Sequence, residues 1–146
     1  MDFFSNQISP NTFKKRIFEL IRPCSKTIYD IHDPIGCKFI FQLRTGLSPL
    51  KQHKMRHNFS DTPDDLCDCL NASEDISHFL FYCSRYAIPR LELNFSVLNV
   101  LNANNLIHLS TNVELFLYGH HSLQLNDNKS IILSTINFIK ETKRFS

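Results

Sequence analysis

The sequence predicts a mainly α-helical protein that forms a single small domain of about five to seven helices. Its 146 residues suit one domain and are enough to bury a core. The composition is 42% hydrophobic, with thirteen Phe and only three Gly, which disfavours a protein built from many tight hairpins. Apolar residues recur at helical spacing in several segments. We expect one domain over residues 1–146, with residues 1–10 as a loose N-terminal tail.

Two helices are predicted before residue 47. The first covers residues 12–22 and ends at Pro23. Its inward-facing residues are predicted to be Phe13, Ile17, Leu20 and Ile21. The second is capped by Asp33, has Pro34 in its first turn and ends at Gly46. Its inward-facing residues are predicted to be Ile35, Phe39, Ile40 and Leu43.

A short basic helix is predicted next, with Ser48 as its cap and Pro49 at its first position. The basic residues in and just before this helix are Arg44, Lys51, His53, Lys54, Arg56 and His57. The stretch that follows, residues 60–75, has no hydrophobic period, so it is predicted to form a loop or a tight hairpin.

The second half of the chain is predicted to be helical again. Residues 74–82 form one helix, with acids at the positive end of its dipole. A break near Cys83 separates it from a helix that runs to about Leu101, in which Pro89 is tolerated only in the first turn. A short apolar helix then ends at Gly119.

The final predicted helix is long and amphipathic. Either Asn126 or Asp127 caps it, and Lys140, Lys143 and Arg144 lie at the negative end of its dipole. Its buried stripe is predicted to contain Ile132, Ile136 and Ile139.

Charge is unevenly distributed along the chain. The net charge is +2, yet residues 1–60 carry ten Lys or Arg against four acids, and residues 61–75 carry six acids and no Lys or Arg. There is no secretory signal pattern and no apolar run of membrane-spanning length. We therefore expect an intracellular protein, in the nucleus or cytoplasm, with no membrane contact. Cysteines stay reduced there, so a cysteine cluster favours metal binding over disulfides.

Four potential metal ligands fall within seventeen residues, in the pattern Cys-x-Cys-x8-His-x4-Cys. They are Cys67, Cys69, His78 and Cys83. Three thiolates and one imidazole form a set typical of a structural zinc site. In an ideal helix, five residues at about 100° each would put Cys83 about 140° from His78. The helix is therefore predicted to end, widen or kink before Cys83.

The alternative interpretation is that these residues only pack: the cysteines fill small apolar spaces and His78 is a core histidine. Cys67 and Cys69 stand among acids, which favours the metal interpretation. Residues 60–90 are therefore predicted to form a zinc-binding module that is embedded in the helical domain and contains the zinc-held Cys-x-Cys loop. Cys24 and Cys37 lack nearby ligands and are predicted to be buried small residues. Four protein ligands leave no open position for substrate, so we expect no catalytic activity and no small-molecule substrate.

Three stretches together resemble a known family. They are "FQLRTGLSPLKQHKMRHNFSDTPDDLCDC", "EDISHFLFYCSRYAIPRLEL" and "NKSIILSTINFIKETKRF". Their order and spacing are similar to the C-terminal region of the reverse-transcriptase polyprotein of non-LTR (LINE-type) retrotransposons, with its CCHC-type motif C-x-C…H-F-x-x-x-C-x-x-Y…R. The resemblance covers most of the chain and implies that Cys67, Cys69, His78 and Cys83 bind zinc. It also implies that the basic helix and zinc module help to hold template RNA or target DNA beside a reverse-transcriptase body.

The chain departs from that family in lacking the polymerase itself. Nothing matches the fingers, palm or thumb, no Tyr/Phe-x-Asp-Asp motif occurs, and an endonuclease would not fit. We therefore expect a non-catalytic fragment in which Arg44, Lys51, His53, Lys54, Arg56 and His57 face phosphates. The alternatives are a zinc-stabilised structural or protein-interaction module, and a non-functional remnant of a decayed element.

Overall fold

A computed structural model describes residues 31–57 and 64–146 of the chain. These ranges contain five α-helices: α1 (Pro34–Thr45), α2 (Lys51–Arg56), α3 (Ala87–Ala103), α4 (Val113–Tyr118) and α5 (Leu125–Thr142). Helix α5 is central, because α1, α3 and α4 all pack against it. The same ranges contain no strand, only one antiparallel bridge between Leu66 and Ser73. The prediction of a mainly α-helical fold is confirmed.

Some predictions fall on parts of the chain outside the described residues. These are the N-terminal tail, the helix at residues 12–22, Cys24 and the start of the predicted zinc module at residues 60–63. Within the described part, no helix combines the length and the apolar character needed to cross a bilayer.

Helix α1 follows the prediction at both ends. The Asp33 carboxylate accepts a hydrogen bond from the Gly36 N–H at 2.9 Å, and Gly46 ends the helix in the left-handed conformation (φ 74°). The inward position of Ile35 was predicted wrongly, since its side chain is 60% exposed. Gly36 is buried instead, and it packs tightly against α5. A Cβ at this position would lie 2.5 Å from Cγ2 of Ile136. The missing side chain lets α5 approach α1 closely.

Helix α2 begins at Lys51, two residues later than predicted from Pro49. The Ser48 hydroxyl accepts a hydrogen bond from the Leu50 N–H at 3.2 Å and lies 2.6 Å from Nδ1 of His53. Ser48 therefore shapes the turn before the helix and does not occupy the N-cap position itself.

Helix α5 begins at Leu125, before either predicted cap residue, Asn126 or Asp127. The polar side chain that organises this end is Asn128, whose Oδ1 accepts a hydrogen bond from the His120 N–H at 2.9 Å. The preceding turn is thereby fixed to the helix. The predicted buried stripe is confirmed for Ile132, Ile136 and Ile139.

An aromatic cluster connects the end of α5 to the segment that carries His78. The Phe79 ring centroid lies 5.3 Å from Tyr86, 5.2 Å from Phe138 and 5.5 Å from Phe145. Phe79 is fully buried. His78 is therefore anchored by its neighbour in the helical core.

Candidate metal centre

A tight hairpin carries the first two cysteines. The Cys67 N–H donates to the Ala72 carbonyl at 2.8 Å, and the Leu70 N–H donates back to the Cys67 carbonyl at 2.8 Å. Leu70 adopts a left-handed conformation (φ 68°), which closes the turn in few residues. Cys67 and Cys69 are thus held on one compact turn, as the aperiodic sequence predicts.

A π-helical turn begins at His78 and leads directly into Cys83, the other two candidate ligands. It spans His78–Tyr82, and the Cys83 N–H donates to the His78 carbonyl, five residues back, at 2.8 Å. A π turn takes more residues than an α turn, so Cys83 returns toward the side of His78. Cys83 itself is extended (ψ 124°), which ends the turn. The predicted widening before Cys83 is confirmed.

Buried Arg90 completes the hydrogen bonding at the end of this turn. Its guanidinium donates to the carbonyls of Phe79 (3.0 Å), Leu80 (2.9 Å) and Cys83 (2.7 Å). Carbonyls at a helix end need such partners when they are buried. The spacing Cys83 to Arg90 therefore has a structural reason. Apart from the predicted resemblance, whose motif includes this arginine, no pattern in the sequence points to this role.

The four predicted ligands converge on one point. Their ligand atoms all lie within 4.8 Å of one another. The Cys67 and Cys83 sulfurs are 3.7 Å apart, and the Cys69 sulfur is 3.2 Å from Nε2 of His78. In a tetrahedral zinc site, bond lengths imply edges of about 3.8 Å between two sulfurs and about 3.6 Å between sulfur and nitrogen. The four side chains lie close enough together to hold one metal ion.

The surroundings shift the pKa values of the Cys67 and Cys69 thiols in opposite directions. Burial raises the pKa of the Cys67 thiol, although the Arg85 guanidinium donates a hydrogen bond to its sulfur at 3.0 Å. The backbone N–H of Asn71 lowers the pKa of Cys69. Metals bind the thiolate, so the charge of Arg85 and the amide at Cys69 favour the binding form.

Glu74 connects the hairpin to the start of α2, to Arg85 and to the segment that follows α5. Its carboxylate accepts hydrogen bonds from Arg144 (2.6 and 2.9 Å), Arg85 (3.0 Å) and the Lys51 N–H (2.8 Å). The side chain is only 2% exposed. Burial by itself would raise the pKa of Glu74, but Arg144 and the Lys51 amide outweigh it and the pKa lies below its ordinary value. We call these contacts the Glu74 network.

The sequence interpretation of Glu74 as a helix-dipole partner was wrong. That role belongs to Asp75, whose carboxylate accepts a hydrogen bond from the His78 N–H at 2.7 Å. Glu74 precedes the helical turn and pairs with Arg144, seventy positions along the chain. Such a distant partner leaves no local sequence signal.

Several of the six predicted nucleic-acid-binding residues make internal contacts. Nδ1 of His53 lies 2.6 Å from the Ser48 hydroxyl, and Nε2 of His57 lies 3.2 Å from the Gly46 carbonyl oxygen. Arg44 and Lys51 contact other elements of the fold. The Arg44 guanidinium donates to the Leu117 carbonyl at 2.5 and 2.8 Å and lies 4.7 Å from the centre of the Tyr118 ring. The Lys51 ammonium pairs with Asp68 at 2.8 Å. These bonds attach α1 to α4 and α2 to the hairpin.

The remaining four predicted residues lie on α2 or at its end. His53 is buried, Lys54 is half-buried, and Arg56 and His57 are exposed. His53, Lys54 and His57 line a cavity of about 280 Å³, together with Phe145. The structure thus gathers the accessible part of the predicted basic surface at the C-terminal end of α2.

Cys37 lies apart from the metal ligands, on α1. Its sulfur is 3.9 Å from the Ile31 carbonyl oxygen, and it is not in a disulfide. It is partly buried, and burial raises the pKa of its thiol. These features fit a packing role.

Comparison with protein families, with curated proteins and with solved structures gives no match for this chain. The resemblance to LINE-type retrotransposons therefore stays a prediction, carried by the order and spacing of motifs at residues 43–46 and 67–90. The chemistry of the site rests on the chain's own residues.

Proposed function

We propose that this chain is a non-catalytic, zinc-stabilised domain, like the C-terminal region of a LINE-type reverse transcriptase, that contacts RNA or DNA. The observation that carries the metal part is the convergence of three sulfurs and one imidazole nitrogen within 4.8 Å. This soft and borderline donor set suits zinc. Four protein ligands complete a tetrahedral shell, so the ion's role is structural.

The folding role of zinc follows from what surrounds it. The hairpin exposes its two leucines, Leu66 (40%) and Leu70 (74%), and so buries little apolar surface of its own. An ion shared by Cys67, Cys69, His78 and Cys83 would tie it to a turn already anchored in the core. Binding energy at such a site becomes folding energy.

The metal is tested by measuring the zinc content of the purified chain. We expect one zinc per chain in the wild type, and loss of zinc in Cys67→Ser and His78→Ala. Cys37→Ser makes the same change outside the cluster and should retain the ion. Wild-type protein that stays metal-free after incubation with zinc, or a Cys67→Ser variant that retains one equivalent, would contradict the proposal.

Nucleic-acid contact is supported by the end of α2. Lys54, Arg56 and His57 lie within four residues, two of them exposed, beside the cavity lined by Phe145. At about 280 Å³ the cavity is smaller than most small-molecule pockets, so it suits one group of a larger ligand. Lys and Arg next to a recess with an aromatic edge are suited to a phosphate backbone and an unstacked base.

Binding is tested by fluorescence anisotropy with a labelled single-stranded RNA over a range of salt. Two phosphate contacts, by Lys54 and Arg56, predict a slope of log K against log salt of about −1.4. In Lys54→Gln/Arg56→Gln, affinity should fall and the slope should lose about 1.4. Lys129→Gln is the control. Lys129 lies on α5 about 20 Å from the C-terminal end of that helix, which is the end nearest α2, so its charge is remote from Lys54 and Arg56.

The outcomes of this test are distinct. Binding that is absent, or that does not change with salt, would remove the nucleic-acid part while leaving the zinc part intact. Duplex DNA of the same length, measured in parallel, shows which nucleic acid is preferred.

A second candidate function is a zinc-stabilised structural or protein-interaction module. The observation that favours it is a row of exposed apolar side chains on α3. This surface lies on a different element from Lys54 and Arg56, so the two functions are compatible.

A further inference from the structure

Helix α3 is apolar on two opposite faces. One face is in the core and contains Leu93, Val97 and Leu101, all of them buried. The other face is exposed. Its apolar residues, which we call the α3 stripe, are Ile88 (81% exposed), Leu91 (70%), Phe95 (70%) and Leu98 (39%). A soluble helix with one buried face normally carries polar residues on the other, so the stripe needs an explanation.

The spacing of the α3 stripe is that of a helix-pairing seam. Its members follow one another at intervals of three, four and three residues, which is the a/d pattern of two heptads. At about 100° per residue they cover an arc of only about 80°. Such a narrow apolar arc fits against one helix better than against a broad flat surface.

The α3 stripe is also symmetric about its own centre. Ile88 and Leu98 lie five positions on either side of Leu93, and Leu91 and Phe95 lie two positions on either side. Two copies of α3 packed antiparallel would therefore place Ile88 against Leu98 of the other copy, and Leu91 against Phe95. This is the self-complementarity that a two-fold interface requires.

We propose that the α3 stripe is a homodimer interface, in which a second copy of this chain packs its α3 antiparallel across the first. The four side chains expose on the order of 500 Å² per copy, near the upper end of the apolar patches found on monomers. Two such patches and the polar residues around them reach the lower range of specific interfaces, about 1,200 Å² in total. The stripe itself carries no charge that would oppose pairing.

The acidic residue nearest the symmetry axis is Glu92, one position from the centre and exposed at the edge of the α3 stripe. In the antiparallel pair, the two copies of Glu92 lie on the same side and about 3 Å apart along the axis. Their repulsion opposes association. Removing this charge should therefore tighten the dimer, an effect that damage to the fold would not mimic.

The proposal is tested by sedimentation velocity of the zinc-loaded chain at concentrations from about 1 to 100 µM, where a small interface should titrate. We expect a monomer–dimer equilibrium. Phe95→Glu should raise the dissociation constant at least tenfold, with zinc content and helical circular dichroism unchanged. Glu92→Gln should lower it severalfold. Leu125→Glu, which changes a 46% exposed leucine outside the stripe, should leave it unaltered.

The antiparallel arrangement has its own test. Ile88→Cys and Leu98→Cys proteins, mixed and mildly oxidised, should form a disulfide-linked heterodimer. Neither should crosslink alone, since identical positions lie about 15 Å apart, beyond disulfide reach. A chain that remains monomeric at every concentration, a dimer insensitive to Phe95→Glu, or crosslinking of Ile88→Cys to itself would each overturn the proposal. If only monomer is observed, the α3 stripe would be available to a different protein partner and the homodimer proposal would be wrong.

Discussion

Two regions of this molecule are held together by different means. In the helical layer of α1, α3, α4 and α5, fully buried side chains such as Ile40, Leu101 and Ile132 make the contacts. In the hairpin module, residues 64–83, the groups that meet are the four candidate metal ligands and the Glu74 network. A long helix has an apolar face to bury, whereas the hairpin exposes both of its leucines, so polar contacts and the proposed metal take the place of apolar burial there.

The two regions meet at Phe79 and Leu80. Both are fully buried in the helical core, although they belong to the turn that carries His78. Arg90 strengthens this junction from α3, by bonding to the carbonyls of both residues. The π turn therefore belongs to both regions, while the hairpin is attached through the candidate metal ligands and through Glu74.

The largest expected effect is that of zinc removal, which should separate the two regions. Structural zinc sites contribute about 10–16 kcal/mol of apparent binding free energy. Hydrogen–deuterium exchange with and without a chelator should show loss of protection at residues 64–77, with much smaller changes in α3 and α5. Equal loss of protection in both regions would mean that the helical layer also depends on the metal. No change in the hairpin would argue against a structural ion.

The next largest effect is expected for Glu74→Gln. Removing one member of a buried, hydrogen-bonded ion pair costs about 3–5 kcal/mol, because Arg144 and Arg85 lose their buried partner. Denaturant unfolding in excess zinc measures this cost. Glu141→Gln, on the exposed side of the last turns of α5, should change the free energy of unfolding by less than about 0.5 kcal/mol. Similar values for the two variants would show that the Glu74 network adds little.

A smaller effect is expected inside the helical layer, for Gly36→Ala. The added Cβ would lie 2.5 Å from Cγ2 of Ile136. Overpacking of this kind costs about 1–3 kcal/mol, partly offset by the higher helix propensity of alanine, about 1 kcal/mol. Ile136→Leu removes the branching methyl, so the cost of Gly36→Ala should be smaller in that background. Simple additivity of the two changes would mean that this contact does not set the α1–α5 distance.

What the sequence could predict follows the same division. Features encoded within a few residues were predictable. They include the Asp33 cap and the buried stripe of Ile132 and Ile136. They also include the break in the helix before Cys83, which the spacing of His78 and Cys83 requires if both are to reach one ion. Contacts between distant segments were not. Glu74 and Arg144 are seventy positions apart, so nothing in the local pattern distinguishes their pairing from an ordinary solvent-exposed charge.

The same limit explains why the sequence did not predict the internal contact of Arg44. The sequence groups Arg44 with the basic residues of α2, but its guanidinium bonds to the carbonyl of Leu117, seventy-three positions away. Ile35 fits the helical period of α1 as well as its neighbours do. The core meets α1 at Gly36, where α5 approaches closely, and Ile35 lies outside it.

The smallest expected effect is a pH dependence from His53, which lies where α2 meets the helical layer. Burial, followed by the nearby charges of Arg56 and His57, lowers the pKa of His53, and Asp75 only partly opposes this. The unfolded histidine titrates near pH 6.5. Above that pH both states are neutral and the stability is complete. As the pH falls below about 6.5, the unfolded state binds its proton first, so stability declines toward the lower folded pKa.

His53→Gln isolates this contribution, because it removes the titrating group and keeps a polar side chain beside Ser48. Linkage limits the decline to about 1.4 kcal/mol for each pH unit below 6.5. Free energies of unfolding should be compared between pH 7.5 and 5.5, in excess zinc. We expect the wild type to lose more stability than the variant over this range. Equal losses would show that the pH dependence arises from titrating groups other than His53, such as the candidate metal ligands, whose binding of an ion competes with protons.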